Sequence, residues 1–156
     1  MIRMKIPLLI RKYSEGLKPF CELHIRYTPS TGRPVRGVCH AFVDTGSPIT
    51  FISQTDANRL NIQPSKVSSR TMRIGGSPVL MYSVKNMKIK VMCEDNKTIC
   101  DLSLPTIGLA LPIPNNTQSI KNAKTLPSII GVDMLKYHKL ALYFDVANDI
   151  SYLEKH

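Results

Sequence analysis

One acidic residue inside an apolar run constrains this chain more than any other feature. Ala41-Phe42-Val43 has the composition of a buried strand, and so does the run of Ile49, Phe51 and Ile52. Asp44-Thr45-Gly46-Ser47 lies between them. A carboxylate between two buried strands is costly to desolvate unless it is hydrogen-bonded or put to use. Short hydroxyl side chains, backbone amides and a glycine let the chain turn tightly around it. Taken alone, the stretch also fits an ordinary β-turn with Asp at its first position and Gly near its end.

Strand-like alternation dominates the rest of the chain. Residues 5–12, 20–27 and 35–43 are expected as three strands of an N-terminal meander, with a turn at Ser14-Glu15-Gly16 and a loop over 28–34. Residues 54–60 are expected as a helix capped by Ser53, with Ala57 and Leu60 at helical spacing, followed by a polar, irregular stretch over 61–70. Residues 71–82 form a hairpin with Gly75-Gly76 at or near its tip. Residues 84–92 and 99–104 pair across a turn at Asn96-Lys97. Over 105–127, Pro112 and Pro114 break an apolar run, 115–119 reads as a loop, and no further element is assigned. A short buried strand at 128–131 precedes a helix at 132–138, where Asp133 suits the helix start. Residues 140–144 and 150–153 close the chain as a hairpin. The expectation is one all-β, mainly antiparallel domain over 1–156, with one or two short helices.

Composition narrows the function classes. The net charge is +10, but the basic residues are scattered, with no run of five or six like charges. There is no zinc-finger spacing and no RNA-binding aromatic signature, so a solvated basic surface is expected rather than a nucleic-acid site. No apolar run approaches the roughly 18–20 residues of a membrane span. The Ile6–Ile10 run is too short for a signal-peptide core, so a cytoplasmic location without membrane attachment is expected. Cys21, Cys39, Cys93 and Cys100 show no Cys-x-x-Cys pair, and His24, His40, His138 and His156 show no metal spacing. No metal or cofactor is expected. A turn at Asn96-Lys97 puts Cys93 opposite Cys100, a pair that bridges in an oxidising setting and stays as free thiols in a cytosol.

Three blocks occur in order: Phe42-Val43-Asp44-Thr45-Gly46-Ser47-Pro48-Ile49, the Gly75-Gly76 hairpin, and Ile129-Ile130-Gly131-Val132-Asp133-Met134-Leu135. Together they resemble the retropepsin-like aspartic peptidase family. The resemblance covers most of the chain, apart from residues 105–127. It implies a retropepsin-like, single-lobe acid-protease barrel in which Asp44 is the catalytic aspartate. Thr45 would lie behind it and hydrogen-bond across a dimer, and Gly46 would face the substrate backbone. Ile74, Gly75 and Gly76 would form the tip of a flap closing over a bound peptide. Ile129, Ile130 and Gly131 would pack beneath the catalytic loop.

The chain holds one Asp-Thr-Gly and no Asp-Ser-Gly. The chemistry needs two carboxylates sharing a proton around one water, as in aspartic proteases generally. One aspartate per chain therefore implies a homodimer with its site on the two-fold axis, acting on a peptide or protein substrate. Viral members commonly pair an Asp two residues after the Gly of Asp-Thr-Gly with an Arg after the late Gly. Here those positions are Pro48 and Val132. That reads as an ion pair replaced by apolar packing, in a cell-encoded rather than viral relative. Ser47 is placed to donate to the Asp44 carboxylate, which would favour ionisation and acidic activity. Two other readings stay open: a non-catalytic dimeric peptide-binding or protein-binding module on the same fold, and a basic nucleic-acid-binding β-domain.

Overall fold

The computed structural model describes residues 3–13, 16–64 and 69–156. The expected turn at Ser14-Glu15 and part of the 61–70 stretch lie outside the described residues. The architecture is all-β and mainly antiparallel, with three short helices among the described residues.

The strands flanking Asp44 are β4 (Val35–Val43) and β5 (Phe51–Ser53), and they do not pair with each other. The strand β11 (Ile129–Ile130) runs between them, parallel to β4 and antiparallel to β5. Its two residues are fully buried, consistent with a short run of β-branched side chains covered on both faces. The neighbouring order is β6 (Arg70–Ile74), β7 (Ser77–Val84), β10 (Ile107–Leu111), β5, β11, β4, β3 (Gly16–Tyr27), β8 (Met87–Met92) and β9 (Ile99–Asp101), with β2 (Leu9–Tyr13) paired to β3. Alternation sets the faces: Cys21, Leu23, Ile25 and Tyr27 of β3 point into the core, while Glu22, His24 and Arg26 point out. Each fully buried Leu or Ile of such a core contributes about 1.5–3 kcal/mol.

Three expectations change. The run at 5–12 is two strands, not one. β1 (Met4–Pro7) leaves the meander and pairs with the C-terminal β13 (Ile150–Lys155), which pairs in turn with β12 (Leu140–Asp145). Pro7, which has no amide to donate, ends β1 before the chain crosses to β2. The 115–119 stretch is only in part a loop, because α2 (Thr117–Ala123) starts there, capped by Asn116 accepting from Ser119 N. Finally, Cys93 faces Thr98 rather than Cys100. Its amide donates to Thr98 O (2.9 Å), while Cys100 stands opposite Val91. Asp95 accepts from the amides of Lys97 and Thr98, which makes the turn four residues long and shifts the register by two. All four cysteines are buried free thiols.

Ser53 caps α1 (Gln54–Leu60) by accepting from Asp56 N (3.2 Å), and α3 (Val132–Tyr137) follows β11 directly. Among the described residues no helix is long and apolar enough to cross a membrane.

Candidate active site

The Asp44 turn is built from backbone and clamped from both ends. Gly46 N donates to Asp44 Oδ1 (2.9 Å), and Ser47 N donates to Asp44 O (3.1 Å), closing the turn on itself. Asp44 N donates to Ile130 O (3.0 Å), and Val132 N donates to Ser47 O (2.8 Å). The turn is thereby fastened to the end of β11 and the start of α3. Asp44 itself is half-buried, with its Oδ1 held and its position fixed by these bonds.

Gly131 is required at this crossing by space alone. Its backbone is extended, with φ −98° and ψ −176°. A Cβ there would lie 2.6 Å from the carbonyl carbon and oxygen of Ile49 and 2.7 Å from Ser47 O. Only a residue without a side chain lets the turn seat so closely.

A second tie lies one residue before β5. Thr50 is buried, and both its amide (2.8 Å) and its hydroxyl (2.7 Å) donate to Asp133 Oδ1. The same hydroxyl accepts from Gly131 N (2.9 Å), and Met134 N donates to Asp133 Oδ1 (2.7 Å). Asp133 thus does more than suit the helix start: it joins α3 to the far side of the Asp44 turn. The sequence signal for this role was a hydroxyl inside a buried apolar run, at Thr50.

Two sequence expectations are corrected here. The Ser47 hydroxyl donates to Ile49 O (2.8 Å), so its one proton does not go to Asp44. Pro48 and Val132 do not pack together out of solvent within the chain, since Pro48 is exposed and Val132 is 41% exposed. The Thr50–Asp133–Gly131 network supplies the connection instead.

The Gly75-Gly76 hairpin is β6 and β7, with Ile74 paired to Ser77 across Gly75 and Gly76. Both glycines have positive φ, 57° and 80°, as a two-residue hairpin turn requires. Asp44, Gly46 and Ser47 line a cavity of about 100 Å³ together with Ile74 and Gly75; Met72, Arg73 and Met81 of the same hairpin face it, and Phe51 is among the residues on the other side. Gly76 and Thr45 do not line it. Thr45 is exposed and makes no hydrogen bond among the described residues. Ile129, Ile130 and Gly131 also stay outside the cavity and act through the backbone bonds above.

The 105–127 stretch braces the β6–β7 hairpin. Ser119 of α2 is fully buried; its hydroxyl donates to Pro78 O in β7 (2.7 Å) and accepts from Ile113 N (2.8 Å). A cavity of about 360 Å³ lies between Ile74, Gly75 and Ser77 on one side and Asn122 and Leu126 on the other. Among the described residues, the Ser77 hydroxyl is buried there without a partner. No group of three His, Cys, Asp or Glu side chains among the described residues is placed to hold a metal.

Residues 31–93 match a family of aspartyl proteases, a span that includes the Asp44 turn and the Gly75-Gly76 hairpin but not β11 or α3. Among solved structures, a retropepsin-like aspartic protease from Rickettsia conorii superposes with a TM-score of 0.52 at 13% identity, covering 99% of this chain and 97% of that one. No curated protein matches the sequence. The structural likeness is one of fold, and with the family match it makes the chain similar to retropepsin-like aspartic peptidases.

Proposed function

We propose that this chain, with its retropepsin-like fold, is an aspartic endopeptidase that works as a homodimer. The observation that carries the reading is the meeting of Asp44 and the flap tip in one cavity. Two Asp44 carboxylates, one per subunit, would share a proton and hold a water between them. One takes a proton from the water as it attacks the scissile carbonyl; the other donates to the carbonyl oxygen. The half-exposed Asp44 and the exposed Thr45, Pro48 and Val132 mark the side of the chain that a second copy would cover.

Substrate would bind extended between the flap and the turn, its backbone pairing with both. Met72, Ile74, Met81 and Phe51 around the cavity favour apolar side chains beside the cleaved bond. A cytoplasmic location belongs to the same proposal, and four buried free thiols suit a reducing compartment.

The test is cleavage of a peptide library between about pH 4 and 7 by wild type and Asp44→Asn, the range in which a carboxylate pair holds one proton. Cleavage by wild type alone is expected. Equal cleavage by both, or none by a folded dimeric wild type, refutes the peptidase reading. Sedimentation tests the dimer separately, since an active monomer contradicts it.

A further inference from the structure

Away from Asp44, the outer face of β3, β4 and β8 gathers positive charge that the chain offsets only in part. Arg26 stands directly opposite Arg36 on one side and Lys88 on the other. One step along, His24 stands opposite Lys90, and Lys90 opposite Asp101. Like charges set opposite each other across strands oppose pairing of the sheet. Among the described residues, Arg26, Arg36, Lys88 and Lys90 form no ion pair. His24 instead pairs with Glu22 (3.1 Å). These four cations, with His24 and Asp101, surround a concavity of about 720 Å³.

We propose that this face docks an acidic segment of a partner protein, a stretch rich in Asp and Glu. Strand geometry sets the scale. Three adjacent strands span roughly 10 Å, and the two rows lie roughly 7 Å apart, so the four cations fit a few carboxylates of one extended segment. Val38, 37% exposed, offers an apolar contact within the same concavity. Two features favour protein over nucleic acid. The concavity has no aromatic side chain on which a base could stack. Four cations also fall short of the roughly 6–10 phosphate contacts typical of duplex binding. The proposal does not depend on catalysis by Asp44.

The test uses Asp44→Asn protein, so that cleavage plays no part, and follows a fluorescent poly-glutamate peptide by anisotropy. Poly-glutamine, single-stranded RNA and duplex DNA serve as comparison ligands. Poly-glutamate should bind best, with affinity falling as salt rises. The double variant R26E/K88E should weaken that binding about tenfold or more, while K121E/K136E, with the same change in net charge, should not. If R26E/K88E fails to fold, R36Q/K90Q is read instead, with the same direction of change. Equal binding by the face variants and the control overturns the proposal, and so does tighter binding of either nucleic acid than of poly-glutamate.

Discussion

Asp133 Oδ1 accepts from both the amide and the hydroxyl of Thr50, across a sequence separation of 83 residues. Replacing Thr50 with Val strands Gly131 N–H and removes a donor from the carboxylate. A cost of about 2–3 kcal/mol is expected for losing such charge-assisted and buried bonds. Thr50→Ser should recover most of it. Urea denaturation midpoints give the comparison, and a Val variant as stable as wild type would show that the network is dispensable.

Asp44 offers a test of stoichiometry that needs no structure of the dimer. If each site takes one aspartate from each subunit, mixed dimers with Asp44→Asn are dead. Re-equilibrating wild type with an equal amount of the variant should then cut total activity to about half, because wild-type chains are diverted into mixed pairs. Unchanged activity after exchange would mean that each chain works alone.

Ser119 ties α2 to the β6–β7 hairpin, so Ser119→Ala should act on the proposed flap as well as on stability. The loss of two buried hydrogen bonds should cost about 1–3 kcal/mol. A raised KM with a smaller change in kcat is expected, because the hairpin loses the brace behind Pro78. Peptide kinetics and thermal denaturation on the same samples separate the two effects.

Burial pushes the Cys21 and Cys39 thiols up to about 12; Cys39 adds to the effect at Cys21, and Asp56 to that at Cys39. Neither is a thiolate at neutral pH, so neither should react with an alkylating reagent in the folded protein. Labelling followed by mass spectrometry should show modification at both only on unfolding. Rapid labelling of the native protein would mean that these positions open.

Two turn carboxylates contribute to the pH profile of stability. The Thr98 hydroxyl and the amides of Thr98 and Lys97 hold Asp95 below its ordinary pKa of 3.8. Asn148, by side chain and backbone, does the same for Asp145. A carboxylate with a depressed folded pKa contributes stability that is complete above the unfolded value and lost as pH falls through the folded one. Urea midpoints should therefore show no effect of these groups above about pH 5 and a decline below pH 3.8. Asp95→Asn should flatten that decline.

Short-range signals were readable from the residues. The Asp44 turn, the Gly75-Gly76 reversal and the Ser53 cap each announce themselves by local chemistry, and the structure has a turn, a hairpin and a helix there. What was not readable depends on partners distant in sequence. Nothing local tells that residues 4–7 pair with the C-terminal strand. Asn116 carries a capping signal for α2, but the helix behind it has two buried residues, Ser119 and Ala123, and no strong apolar period. The cysteine register failed because Asp95 lengthens its turn. Ser47 failed for a different reason: a side-chain destination in a tight loop is set by whichever carbonyl lies nearest, here that of Ile49.

The threading of β11 between β4 and β5 has a consequence for the order of events at the ribosome. Residues 35–53 emerge with both arms of the Asp44 turn complete, yet the strand that joins those arms is 129–130. Until it is made, Asp44 N has no carbonyl to bond, Ser47 O has no Val132 amide, and Thr50 has no carboxylate. A nascent chain therefore carries its aspartate long before it can aim it. The late block acts as a timer, withholding the finished geometry of the turn until most of the described domain has been synthesised.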